Sequence, residues 1–84
     1  MKFIYTDKAA VDLAALSHEY QKRVAEKMRF YEAQEDPLHF ANHLTGFRSY
    51  RFRIGIYRLF CEISGDALFI LRIKKRDKAY KGLE

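Results

Sequence analysis

Eighty-four residues, with 49% hydrophobic and 32% charged side chains, suffice for one small packed core and not for two, so residues 1–84 are expected to form a single domain. That balance excludes intrinsic disorder, and no apolar run approaches the ~20 residues of a membrane-crossing helix. Sixteen Lys and Arg against eleven Asp and Glu leave a net charge of +5, which on so small a surface attracts polyanions, nucleic acid among them. The lone Cys61 cannot form an internal disulfide, and Met1 to Tyr5 runs directly into Thr6, Asp7 and Lys8 without a signal peptide. A reducing cytoplasm is the expected setting.

Lys2 to Tyr5 is a short apolar opening that reads as a strand. Thr6-Asp7 then offers an N-cap to Ala9, Leu13 and Leu16, which are spaced as one helical face requires. Ser17 and Glu19 restart the signal. Tyr20, Val24, Met28 and Tyr31 keep the helical spacing until Asp36-Pro37 stops it. The break near Ser17-His18 is weak, so one bent helix from Lys8 to Gln34 is the alternative to two. From Leu38 to Phe47 the periodicity fails, and Gly46 marks a turn.

Alternation follows. Tyr50, Phe52 and Ile54 fall on one strand face and Arg51 and Arg53 on the other. After Gly55-Ile56, the residues Tyr57, Leu59, Cys61 and Ile63 make a second core face, with Arg58, Phe60 and Glu62 opposite. Ser64-Gly65-Asp66 signals a hairpin, and Ala67 to Ile73 is apolar almost throughout, as in a strand covered on both sides or lying at the sheet centre. The fold expected is α+β: an N-terminal strand, a two-helix hairpin and a three-stranded antiparallel meander, forming one sheet with the helices on one face.

The cations of the second half leave this core. Arg51, Arg53 and Arg58 share the non-core face if Gly55-Ile56 is a tight turn, and Lys74-Lys75-Arg76 and then Tyr80 follow the last strand. Any one of these arginines is accounted for by simple solvation. The set is harder to explain that way, because Glu62 is the only acid in the three strands and solvated surfaces mix signs.

Two stretches carry a resemblance. Leu44-Thr45-Gly46 followed by Tyr50-Arg51-Phe52-Arg53-Ile54-Gly55-Ile56-Tyr57-Arg58-Leu59 resembles the central motif of the RelE/ParE toxin superfamily, a Leu-x-Gly turn leading to a basic strand and a Gly-x-Tyr-Arg turn. Lys75-Arg76-Asp77-Lys78-Ala79-Tyr80 is similar to its closing pattern, usually His-Arg-x-x-x-Tyr. The similarity spans about Phe3 to Tyr80. It implies a toxin of a type II toxin–antitoxin pair: a ribosome-dependent endoribonuclease in which the ribose 2′-hydroxyl attacks the neighbouring phosphate of translated mRNA. The implied partners are a cognate antitoxin in a hetero-oligomer, mRNA and the ribosome, with no membrane and no cofactor.

By the same resemblance, Arg58 and Arg76 match the phosphate-holding arginines, a role suited to a planar fork of donors. Tyr80 matches the tyrosine that sits against the RNA. Arg51 and Arg53 stand where RelE has lysines, and with these three they complete the expected catalytic set. Arg48, Lys74 and Lys75 are the expected further RNA contacts. Guanidinium groups stabilise charge but are poor bases, and Lys75 replaces the usual closing histidine, so proton abstraction has no owner beyond Glu62 or Tyr80 as candidates. His39 and His43 lack a third ligand and read as surface histidines, with no metal expected. The competing readings are a ParE-like toxin that inhibits DNA gyrase without nuclease activity and a plain RNA-binding module. The latter lacks a strand-borne aromatic pair that stands out as a stacking platform.

Overall fold

The structure, a computed structural model, describes residues 1–43 and 48–76. The elements run β1 (Lys2–Tyr5), α1 (Asp7–Ala14), α2 (His18–Glu32), a 3₁₀ turn (Pro37–Phe40), β2 (Asn42–His43), β3 (Ser49–Ile54), β4 (Tyr57–Ser64) and β5 (Ala67–Lys75). The helices are separate because each has its own cap. The Thr6 hydroxyl accepts from the Ala9 N–H at 3.2 Å and the Ser17 hydroxyl accepts from the Tyr20 N–H at 3.3 Å. Helix α2 stops at Glu32, short of the Gln34 end the periodicity allowed, and Pro37 opens the 3₁₀ turn as a buried residue.

The strands form one sheet in the order β1-β5-β4-β3-β2, with β1 parallel to β5 and the other pairs antiparallel. The expected meander is β3-β4-β5. The sheet also gains β2, a two-residue strand in a stretch without periodicity, where alternation has no room to show. Thr6 ties the start of α1 to the sheet: its N–H donates to the Ile70 carbonyl at 3.0 Å, and its hydroxyl donates to the Ile70 and Leu71 carbonyls.

Both helices pack on one sheet face. Val24 and Met28 from α2 meet Phe52, Leu59, Leu68 and Ile70, all nearly or fully buried. Each such side chain contributes roughly 1.5–3 kcal/mol by leaving water. Phe3 and Tyr31 close on the Phe52 ring at centroid distances of 5.8 and 5.1 Å.

Carboxylates from the helices cap two backbone donors on the β1–β5 side of the sheet. The Phe3 N–H donates to Glu32 Oε2 at 2.7 Å, and the Ile73 N–H donates to Asp12 Oδ2 at 2.9 Å. Donors on the β1 and β5 backbones that would otherwise face open water therefore have partners. Asp12 also takes a two-pronged contact from Arg72, Nε to Oδ2 at 2.8 Å and Nη2 to Oδ1 at 3.2 Å. The guanidinium and the Ile73 amide hold the Asp12 carboxyl below the usual carboxylate range.

Candidate nucleic-acid interface

The site is organised by the β3–β4 hairpin. Ile54 pairs with Tyr57, leaving Gly55 and Ile56 as a two-residue turn, and Gly55 has φ of +58°, a conformation that favours glycine. Glycine is required for space as well. A Cβ at Gly55 would fall 2.9 Å from both Cε1 and Oη of Tyr20, and 3.3 Å from Arg23 Nη1. The Tyr20 ring in turn meets Tyr57 edge-on at 4.9 Å. Helix α2 is thus seated against the hairpin tip and fixes its position.

Strand register then sorts the cations. Arg53 pairs with Arg58, Arg58 with Lys74, and Arg51 with Phe60, which places Arg51, Arg53, Arg58 and Lys74 on the same non-helix face. The Arg76 N–H donates to the Ile56 carbonyl at 2.7 Å and brings the end of β5 against the turn. Arg53, Gly55, Ile56, Tyr57, Arg58 and Arg76 line a cleft of about 90 Å³. Its guanidinium-rich lining suits an anionic group such as a phosphate.

Arg58 keeps its place on the non-helix face but differs from its neighbours in burial. Arg58 is not an outward, solvated residue: it is 2% exposed. Arg58 lies on β4, between β3 and β5, and forms the inner wall of the cleft, while Arg53 and Arg76 stand exposed beside it. Three guanidinium groups lining one cleft give it a positive potential that draws anions.

Other candidates separate from the cleft. Lys75 pairs with Tyr57 and so lies on the helix side of the sheet, opposite to Lys74, because neighbouring strand residues point apart. Arg48 is exposed just before β3, its carbonyl accepting from the Ile63 N–H at 2.9 Å, and five residues of strand put it about 17 Å from Arg53. Glu62 pairs with Ser49 and Phe69, four residues and about 13 Å along β4 from Arg58, too far to serve as a base at the cleft. Tyr80 and the Leu44-Thr45-Gly46 turn lie outside the described residues.

The histidines belong to the aromatic packing. His43 stacks on Tyr50 at 4.8 Å, and His39 meets Phe40 edge-on at 5.5 Å. Among the described residues no three His, Cys, Asp or Glu side chains come together as a metal site. Burial pushes the Cys61 thiol up to about 12, so it is no nucleophile.

Arg23 was not singled out in the sequence. It reaches the hairpin tip with its guanidinium 5.5 Å from the Tyr20 ring centroid. Its signal in the sequence was only a place on the polar side of α2.

An α+β sheet with a basic cleft at its hairpin tip is the architecture of a small toxin of the RelE/ParE superfamily. Residues 3–80 match the family described as the ParE toxin of the type II toxin–antitoxin system parDE, and the chain belongs to that family as a toxin component. Similar solved structures include a chain of the RelBE2 toxin–antitoxin complex from Mycobacterium tuberculosis, at 26% identity and a TM-score of 0.73 over 89% of this chain and 96% of that one. The RelB–RelE complex of Methanococcus jannaschii gives 21% identity and a TM-score of 0.74, over 92% and 94% of the two chains. The chromosomal ParDE system of Pseudomonas aeruginosa gives 19% and 0.68, over 89% and 95%. No curated protein matches. No helix among the described residues is long and apolar enough to cross a membrane.

Proposed function

We propose that this toxin is a ribosome-dependent endoribonuclease that cuts translated mRNA in the cytoplasm by attack of the ribose 2′-hydroxyl on the adjacent phosphate. The observation that carries this reading is the convergence of Arg53, Arg58 and Arg76 on one cleft at the hairpin tip. The reaction gathers negative charge on the phosphorane oxygens, and guanidinium groups fixed before the charge develops lower its energy without reorganising. In this scheme Arg58 and Arg76 hold the phosphate oxygens, Arg53 and Arg51 add positive potential on the same face, and Tyr80 packs against the RNA. The arginines do not take the 2′-hydroxyl proton, so the base comes from outside that set. Lys74 is a further RNA contact. By analogy with relatives solved as RelB–RelE and ParDE complexes, the partner that silences the toxin is a cognate antitoxin, acidic and amphipathic to suit the basic face.

The test is to map breaks in messages on translating ribosomes. Discrete cuts ending in a 2′,3′-cyclic phosphate or its hydrolysis product, abolished by 2′-deoxy substitution at the cut, are expected. The second reading is gyrase inhibition. It is favoured by the absence of a carboxylate or histidine among the described cleft residues and by the ParE description of the family. Intact messages with trapped gyrase–DNA breaks would replace the first reading with this one.

A further inference from the structure

The sheet face turned away from the helices carries apolar side chains that the core does not use. Ile4, Phe60 and Phe69 are half-buried, yet none of them belongs to the helix-side core or packs against it. Register places them on the arginine face: Ile4 opposite Phe69, and Phe60 opposite Arg51 on one side and Arg72 on the other. Phe60 and Phe69 come to the same face from neighbouring strands, Phe60 paired with Arg72 and Phe69 with Glu62, across a register shift between Phe60 and Cys61 that the sequence does not reveal. Such bulges re-aim side chains and are frequent beside active sites.

Phe60 is two residues from Arg58, about 7 Å along β4. A phosphate held at Arg58 therefore leaves an adjoining base within reach of the Phe60 ring. The surroundings define what the ring receives. Arg51, Arg53, Arg58 and Lys74 share this face, Arg72 is neutralised and held in place by Asp12, and Glu62 stands toward the far end. A flat apolar ring beside a row of cations fits a polyanion with π faces. That description matches single-stranded nucleic acid better than an acidic peptide, which lacks the stacking partner.

We propose that Phe60 is the stacking platform for the base that flanks the phosphate in the arginine cleft. This rests on the ribonuclease reading. It makes Phe60 a residue that positions the substrate and leaves proton transfer to others.

The experiment uses ribosomes programmed with a message carrying 2-aminopurine beside the mapped cut, the cut linkage itself blocked by 2′-deoxy substitution. The wild-type toxin and Phe60→Tyr, which keeps the ring, are expected to quench the probe alike. Phe60→Leu keeps apolar volume without the ring. It is expected to lose the quenching and to raise KM for the unblocked message about tenfold while kcat changes little. Circular dichroism and melting of Phe60→Leu establish that it is folded. A folded Phe60→Leu that quenches and cleaves like wild type overturns the proposal. So does one that is normal toward RNA but fails to bind the antitoxin, which would make the face a protein-docking surface. Wild-type toxin that neither quenches nor cleaves would instead overturn the ribonuclease reading on which the proposal stands.

Discussion

Arg53 and Arg58 stand directly opposite one another across the β3–β4 ladder, with Lys74 on the other side of Arg58. Like charges at facing strand positions repel one another, and an anion bound beside them lowers that repulsion. Inorganic phosphate is therefore expected to raise the melting temperature. At ten times its Kd the gain is about 1.4 kcal/mol, or roughly 5–10 °C for a domain of this size. At matched ionic strength Arg53→Gln should show a smaller rise than wild type. An identical rise in that variant would mean the anion binds elsewhere.

The cleft arginines should differ in what their loss does. Arg76 is exposed and its anchor to the turn is a backbone N–H, so Arg76→Ala is expected to fold normally. On the ribonuclease reading proposed above, its cleavage rate should fall about a hundredfold, the usual effect of removing one transition-state contact. Arg58 is 2% exposed, so Arg58→Ala should lower both the rate and the melting temperature. Wild-type cleavage by folded Arg76→Ala, measured on programmed ribosomes, would remove Arg76 from the site.

The two turn glycines give an internally controlled comparison. Gly55 and Gly65 have similar positive φ, +58° and +63°, so alanine at either costs about 1–2 kcal/mol in backbone strain. Only at Gly55 does the added Cβ meet the Tyr20 ring at 2.9 Å, whereas Gly65 has nothing within 4 Å. Gly55→Ala is expected to be the more destabilising by urea unfolding, and Tyr20→Ala should narrow the difference. Equal losses at the two turns would show that α2 does not brace the hairpin.

Asp12 gives a pH prediction. Its carboxyl is held below its ordinary value by Arg72 and the Ile73 amide, so the stabilisation is complete above the unfolded-state pKa, near 4, and fades as pH drops through the lower folded value. Asp12→Ala leaves the Ile73 N–H without its acceptor, a loss of about 1 kcal/mol at neutral pH. The gap in melting temperature between wild type and Asp12→Ala should be steady above pH 5 and shrink below pH 4. A gap independent of pH would show that the carboxylate charge contributes nothing.

Much of this fold was legible in the sequence because its signals are local. Thr6 and Ser17 act within one helical turn, and the alternation of Tyr50, Phe52 and Ile54 against Arg51 and Arg53 needs only the period of a strand. What was lost is long-range. The alternation of β4 gives the face of Arg58 but not its burial, and the separation of Lys75 from Lys74 depends on how far β5 continues. Arg23 reaches the turn through packing between elements about thirty residues apart in the chain, a contact with no local signature. The strand β2 is too short for any pattern to register.

Cys61 lies at 2% exposure on β4, its thiol donating to the Leu59 carbonyl at 3.5 Å and pushed up to about 12. The chain's one sulfhydryl is thus silent toward alkylating reagents for as long as β4 stays in the sheet. Because β4 lies at the middle of the strand order, exposing that sulfur requires the sheet itself to come apart. Alkylation is therefore a clock for global opening. Slower labelling when a partner protein or programmed ribosome is present gives the linkage energy of that complex directly, from unmodified toxin and without an added dye.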